Sequence, residues 1–373
     1  MLSVDTGIPA GNGIITAIHG GRIHLRPDNR DSTQDWFYWH IRVRGCRGRR
    51  ITLVFDRPCT MTVRGAAVSR DHGQSWAWVP EYTPYALELS YECGDADELR
   101  FCLAPPYTLA NLEEWIARHI DSPFLQRHEL CHSGQGRSVP WLALGCPGGQ
   151  ASSQVLLSAR HHACEMMANY VLEGVMSACL EDERSLRDLR MLVVPLLDLD
   201  GVEAGDQGKA RHPHDHNRDY GTSPLYPETA ALMDLVRGET DTRLCAALDL
   251  HCPFVVGDEG NHHIYLVGSE EPDNWQRQQT FARILEKHRH GPFPYEAADT
   301  LPFGEKWNTA ANYGAGTTCA RWMFRERSAS VMAATIEIPY ATVKGVPVTP
   351  ASARAFGRGL FNALREWASE SIR

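Results

Sequence analysis

Arg243–His251 reads RLCAALDLH, and Val331–Tyr340 reads VMAATIEIPY. Each is a nearly unbroken apolar run with a carboxylate set into its last residues. A continuous apolar run is what a strand covered on both faces requires, because neither alternating set of side chains then meets water. Arg190–Asp198 (RMLVVPLLD) and Gln154–Arg160 (QVLLSAR) have the same character, as does Val139–Gly145 (VPWLALG). Between and after them, Glu165–Leu180, Pro227–Gly238, Trp275–His290 and the stretch from about Ala351 onward carry apolar residues at helical spacing. Strands alternating with helices predict an α/β fold with a mixed, largely parallel sheet flanked by helices. In such sheets ligands bind at the C-terminal strand edge, where His251 and Glu337 fall.

Residues 36–120 follow another rhythm. WFYWHIRVRG (36–45), RITLVFD (50–56), CTMTVRG (59–65) and ALELSYE (86–92) are short β-type segments separated by Gly, Pro and Asp turns, with DHGQSW (71–76) as a hairpin tip. This predicts a small antiparallel β-sandwich. Residues 104–120 then open a helix, with Thr108 or Asn111 as its cap. The expected division is an N-terminal sandwich over 1–120 and an α/β catalytic domain over 121–373, in keeping with a chain of 373 residues.

Composition narrows the function classes. With 43% hydrophobic and 22% charged residues the chain can build a full core without disulfides. The net charge of −9 argues against a basic nucleic-acid surface. Neither a membrane span nor a signal peptide is read from the sequence. The eleven cysteines contain no CxxC pair and are expected to be reduced thiols in the cytoplasm. No nucleic-acid or membrane partner is expected, and assembly into a homo-oligomer stays open.

Four segments carry chemistry. In HHACE, His162 and Glu165 stand three apart at a strand-to-helix turn and can ligate one metal; His161 with Glu165 is the alternative at i, i+4. His251 closes its strand two residues after Asp249 and offers a third ligand. The loop DQGKARHPHDHNRDYG (206–221) gathers Lys209, Arg211, Asp215, Asn217 and Arg218. The Gly/Asp/His-rich segment 201–221 that contains it is too long for a simple turn and marks a functional loop. Arg beside Asn is a natural carboxylate clamp, and Asp215 can orient a ligand histidine. Glu337 interrupts a buried strand, which is costly unless paired or functional. Each feature alone has an ordinary structural explanation: a capping Glu, a strand-end His, a solvated loop, an internal ion pair. Together, His, Glu and His make the three-ligand open site of a catalytic zinc, and the remaining groups suit hydrolysis of an amide next to a carboxylate.

The ordered set HxxE (162–165), DGV (200–202), DxNR (215–218), DxH (249–251) and a strand Glu (337) resembles the zinc metallocarboxypeptidases. It most resembles the bacterial members of the cytosolic carboxypeptidase branch, which carry a β-sandwich ahead of the catalytic domain. The likeness spans about residues 36–340. It implies one zinc ion held by His162, Glu165 and His251, with Asp215 behind the first histidine. It implies that Asn217 and Arg218 grip the C-terminal carboxylate of a peptide or protein substrate, and that Glu337 is the general base acting on a zinc-activated water. Two departures stand out. Ala163-Cys164 replaces the Pro-Gly common in this branch, which leaves Cys164 between two ligands. The oxyanion-stabilising Arg has no counterpart; Gly208 falls near its place, so Lys209 or Arg211 is expected to substitute, with Lys209 preferred. Arg321 lies near where deglutamylating members place a cation, which implies a preference for acidic C-terminal residues, although Arg325 and Arg327 are close in register. Tyr313 and Tyr340 are candidates for a substrate-capping tyrosine. Two rival readings share the zinc set: an N-acyl amino acid deacylase of the desuccinylase or aspartoacylase type, and a non-catalytic peptide-binding module.

Overall fold

The computed structural model describes residues 1–146, 151–182, 185–239, 243–255, 259–327 and 331–370. The N-terminal strands are β1 (Ser3–Asp5), β2 (Ile14–His19), β3 (Arg22–Arg26), β4 (His40–Arg44), β5 (Arg50–Phe55), β6 (Ala67–Ser69), β7 (Ala77–Trp78), β8 (Glu88–Glu92) and β9 (Glu98–Cys102). They form two sheets, ordered β1-β4-β9-β6-β7 and β2-β3-β5-β8. Inward-facing Ile23, Leu25, Trp39, Ile41, Val43, Ile51, Leu53 and Phe101 make the core between them. The hairpin tip at 71–76 joins β6 to β7 as expected. Two features differ from expectation. Strands β1–β3 precede the stretch read as β; β2 alternates poorly because it is half-exposed along its length. And β3 pairs with β5 in parallel, since the intervening β4 crosses to the other sheet and no hairpin joins the two.

Helix α1 (Leu109–Arg118) follows, and the Asn111 side chain accepts the backbone N–H of Thr108 at 2.9 Å, capping it. Its buried Leu112, Trp115 and Ile116 pack into the core of the second unit, together with Phe37 and Tyr38 from the N-terminal chain. The two units are therefore joined by apolar packing, reinforced by hydrogen bonds from Arg64 to Gly345 O (2.7 Å) and from Trp78 to Val348 O (2.7 Å).

The second unit comprises β10 (Leu125–His132), β11 (Ser138–Gly145), β12 (Ser153–Ala159), α2 (Met167–Glu181), α3 (Ser185–Asp188), β13 (Leu189–Val194), α4 (Leu199–Ala204), α5 (Pro227–Glu239), β14 (Leu244–His251), β15 (Tyr265–Val267), α6 (Pro272–Lys287), α7 (Cys319–Arg327), β16 (Met332–Glu337), the short pair β17 (Thr342–Val343) and β18 (Val346–Pro347), and α8 (Pro350–Glu370). Its seven-stranded sheet has the order β10-β11-β13-β12-β14-β16-β15. The four central strands β13, β12, β14 and β16 run parallel, and antiparallel β10, β11 and β15 complete the edges. One face packs Val155, Leu157, Leu248 and Ile336 against α2, α6 and α8. The other packs Leu156, Leu192, Ala247 and Ala333 against α5 and α7. This double covering is why the central strands carry apolar side chains on both faces over most of their length. The DGV segment lies on α4, so the long functional loop is shorter than expected and runs from Gly205. No helix among the described residues is long and apolar enough to cross a membrane.

Candidate metal centre and substrate cleft

Strands β12, β14 and β16 end side by side, with Ser158 opposite Asp249 and His251 opposite Glu337 in the ladder. That register brings residues nearly 180 positions apart to one edge. Just past β12, Arg160 takes a left-handed conformation (φ 66°). Its buried guanidinium donates to Ala163 O (3.0 Å), Tyr107 O (2.9 Å) and Asn169 Oδ1 (2.9 Å), which fixes the turn carrying His162 and Glu165.

His162 Nδ1 lies 2.9 Å from Glu165 Oε1, and His251 Nδ1 lies 2.7 Å from Glu165 Oε2. The other ring nitrogens face away: His162 Nε2 toward Asp215 Oδ1 (3.3 Å) and His251 Nε2 toward Asp249 Oδ2 (2.6 Å). So two Nδ1 atoms and one carboxylate converge, and a carboxylate backs each imidazole, the arrangement that orients metal-ligating histidines. One donor atom from each of His162, Glu165 and His251 falls within 4.8 Å of the others. His161, Asp249 and His251 form a second such group. There, however, His161 Nε2 meets Tyr220 Oη (2.5 Å) and Asp249 accepts from Ser158 Oγ (2.8 Å), all of it buried beneath the sheet edge. Only the first group lines the open cleft, and its nitrogen and oxygen donors fit a zinc-type ion.

The electrostatics agree with a cation-binding role. Burial would raise Glu165, but Lys209, His162 and His251 around it hold its carboxyl well below the usual range. Burial opposes ionisation of Asp215 and Asp249 too, and the histidines each one faces hold them low. Glu337 is the contrast: burial first, then the negative charge of Glu165, pushes its carboxyl up to about 7. Its Oε2 is buried without a hydrogen-bond partner among the described residues.

Lys209 ion-pairs with Glu165 and donates to Cys252 O at 3.1 Å. The loop that carries it is braced by the N-terminal unit. Asp31 accepts the backbone N–H groups of Gln207 (3.0 Å) and Gly208 (2.8 Å), and Ser32 Oγ donates to Lys209 O (2.8 Å). Gly208 has φ 75°, and a Cβ there would lie 2.1 Å from Ala163 N. Glycine is what lets this loop press against the HxxE turn. Arg211, the alternative cation, is turned elsewhere: its guanidinium is held by Asp198 and by Asp206 (3.2 Å).

Asn217 is fixed by the Cys319 N–H on its Oδ1 (2.9 Å), which leaves its amide nitrogen 3.1 Å from His251 Nε2. Arg218 extends over the Tyr313 ring (5.5 Å to the centroid), and Arg321 stacks on the same ring at 3.7 Å while pairing with Glu270 (2.7 Å). Arg325 pairs with the same Glu270, and Arg327 caps Val236 O, away from the cleft. Tyr313 lines the cleft; Tyr340 is buried beside Cys164 (3.6 Å) and does not. Burial pushes the Cys164 thiol up to about 12, and the thiol stands outside both ligand groups. Sequence reasoning passed over Trp36, Phe254 and Trp307, which also line the cleft. An exposed aromatic leaves no spacing signature.

An α/β sheet with a His–Glu–His set at its C-terminal edge and a cationic clamp beside it defines a class of metal-dependent hydrolase folds, and comparison with known proteins narrows it. No family model matches the chain. Over 99% of this chain and all of the other, the fold is similar to that of a metallo-carboxypeptidase from Burkholderia cenocepacia (TM-score 0.82, 18% identity). A metallo-carboxypeptidase from Pseudomonas aeruginosa in complex with (2-guanidinoethylmercapto)succinic acid is similar over both full chains (TM-score 0.79, 18% identity). In sequence, an uncharacterized protein of Zymomonas mobilis is 22% identical over 98% of this chain and 96% of its own length. Mouse cytosolic carboxypeptidase 2 is 26% identical over 55% of this chain, and the match spans 25% of that protein. Cytosolic carboxypeptidase 6 of Caenorhabditis elegans is 23% identical over 71% of this chain and 64% of its own length. The chain thus has the metallo-carboxypeptidase fold of bacterial proteins and has cytosolic carboxypeptidases among its sequence relatives, as the motifs led one to expect.

Proposed function

We propose that this protein is a zinc-dependent metallocarboxypeptidase that removes C-terminal residues from peptides or proteins in the cytoplasm. One observation carries the reading: both Nδ1 atoms converge on Glu165 while both Nε2 atoms are backed by Asp215 and Asp249. His162, Glu165 and His251 would hold the ion. When bound, zinc supplies a Lewis acid that polarises the scissile carbonyl and acidifies water. Asn217 and Arg218 bind the terminal carboxylate of the substrate and so place the last peptide bond beside Glu337. Glu337, with its pKa near neutrality and a free carboxylate oxygen, takes a proton from the attacking water and delivers it to the leaving nitrogen. The water oxygen bonds to the carbonyl carbon, the C–N bond breaks, and a shortened carboxylate and a free amino acid result. Lys209, rather than the aspartate-bound Arg211, donates to the oxygen on which charge develops. Arg321, sharing the Tyr313 ring with Arg218, is suited to an acidic side chain on the departing residue.

The test is digestion of a peptide library read by mass spectrometry. Stepwise loss of C-terminal residues, Glu and Asp before others, is expected. Release of N-acyl groups from single amino acids would replace this reading with the deacylase one, and bound zinc without hydrolysis would replace it with a binding module.

A further inference from the structure

The cleft has a volume of about 1020 Å³. That is at the upper end of the volumes ligand pockets have and is more than one departing amino acid needs. Contacts along its floor give it a direction. Arg321 and Arg218 share Tyr313 at one end, Arg218 adjoins Asn217, and Asn217 lies against His251. His251 meets Glu165, and Glu165 meets Lys209. Lys209 Nζ in turn lies 5.6 Å from the centre of the Trp36 ring. Trp36 packs on Phe254 at 5.8 Å, and Phe254 is braced edge-on by Phe37 at 5.1 Å. The aromatic pair therefore adjoins the metal-type cluster through Lys209, whereas the carboxylate clamp adjoins it through Asn217 and His251. Trp36 comes from the N-terminal unit and Phe254 from the loop after β14. Phe254 is 39% exposed, an apolar ring left open to the cleft. The cleft lining is mixed, and aromatic rings exposed in such a cleft offer apolar area to a ligand.

A chain whose terminal carboxylate rests at Asn217–Arg218 and whose last peptide bond lies at Glu165–Glu337 continues toward Lys209 and the aromatic wall. We propose that Trp36 and Phe254 form a subsite for an apolar side chain one or two residues upstream of the scissile bond, which makes the substrate an extended polypeptide tail. This rests on the carboxypeptidase reading above and adds a substrate requirement to it. The N-terminal unit then contributes directly to substrate recognition, through the ring of Trp36.

The test uses the full chain and acetylated tripeptides that share one C-terminal residue, with Gly-Gly, Phe-Gly, Gly-Phe, Glu-Gly or Gly-Glu ahead of it. Phe at one of the two upstream positions is expected to raise kcat/KM about tenfold over Gly. That gain should shrink below about threefold in Phe254→Ala and in Trp36→Ala. Dissociation constants of the same peptides for Glu337→Gln, measured by calorimetry, should rank in the same order. If thermal melting shows that Trp36→Ala does not fold, Phe254→Ala decides, since it truncates a partly exposed ring. Equal rates for Gly and Phe peptides, a gain retained in the folded variants, or a larger gain from upstream Glu overturns the proposal. If no peptide is cleaved, the carboxypeptidase reading fails on its own, and the calorimetric ranking still judges the subsite.

Discussion

Replacing Glu337 by Gln keeps the size of the side chain and removes its ability to accept a proton. Among the described residues, three carboxylates line the cleft: Glu165, Asp215 and Glu337. Glu165 is held by Lys209, His162 and His251, and Asp215 by His162 and the Asn217 N–H (2.7 Å). Of the three, only Glu337 has a buried oxygen without a hydrogen-bond partner, and burial raises its pKa to about 7, near the optimum for a base working at neutral pH. With no other carboxylate free to substitute, the loss should fall in the upper part of the range for general-base catalysis, about 10³–10⁴ in kcat, or roughly 4–5.5 kcal/mol of barrier. Metal content should stay at that of the parent protein, because Glu337 is outside the His–Glu–His group. The assay is kcat from amino-acid release at saturating peptide, with elemental analysis and a thermal melt on the same preparation. A kcat within tenfold of the parent at unchanged metal content would refute Glu337 as base, and loss of the metal would show that it is a ligand instead.

Glu165→Ala is expected to abolish stoichiometric zinc binding, read by elemental analysis, while Asp215→Asn should weaken zinc affinity about 10- to 100-fold through the loss of orientation of His162; unchanged metal content in Glu165→Ala would overturn the ligand set. Arg218→Ala should raise KM for peptides with free C-termini by at least about tenfold and change it far less for C-terminally amidated ones, since a bidentate charge-assisted contact to carboxylate is lost only in the first case; equal losses would reject the clamp. Glu228 offers a pH prediction remote from the cleft. Burial, then the charges of Asp198 and Asp200, raises its carboxyl from 4.5 to about 7. Its folded pKa exceeds the unfolded one, so its protonated form favours folding below about pH 4.5 and that contribution fades as pH rises through about 7. The rise corresponds to at most about 3 kcal/mol, and to about 2 kcal/mol after allowing for partial solvent screening. Glu228→Gln should therefore be more stable than the parent at pH 8 and equal to it near pH 4.5 in urea melts; equal stability at both would show that the carboxylate is not strained by burial.

How much was legible in the sequence depended on whether the signal was local. Val331–Tyr340 and Arg243–His251 announced doubly covered strands through composition alone, and HHACE announced its chemistry through spacing that one turn of chain can realise. Strands β2 and β3 escaped notice because β2 (IITAIH) has no polar–apolar alternation and β3 (RIHLR) alternates over only five residues; pairing in three dimensions supplies what the pattern lacks. The preference for Lys209 over Arg211 rested in the sequence on register alone. Two residues apart in one polar loop, they look alike until Asp198 and Asp206 occupy the second and Glu165 receives the first.

The sequence by itself determined the α/β class, the sandwich ahead of it, and the inventory of candidate metal-ligating and carboxylate-binding side chains, because periodicity and residue chemistry are properties of short segments. The tertiary structure alone decided which of these groups meet. The parallel register of β14 and β16 sets His251 opposite Glu337. The close approach permitted by Gly208 brings Lys209 to Glu165. The packing of residues 31–38 against the α/β unit sets Trp36 on the cleft wall. These are contacts between segments far apart in the chain, fixed by the ladder of backbone hydrogen bonds and by apolar burial, and no run of neighbouring residues encodes them.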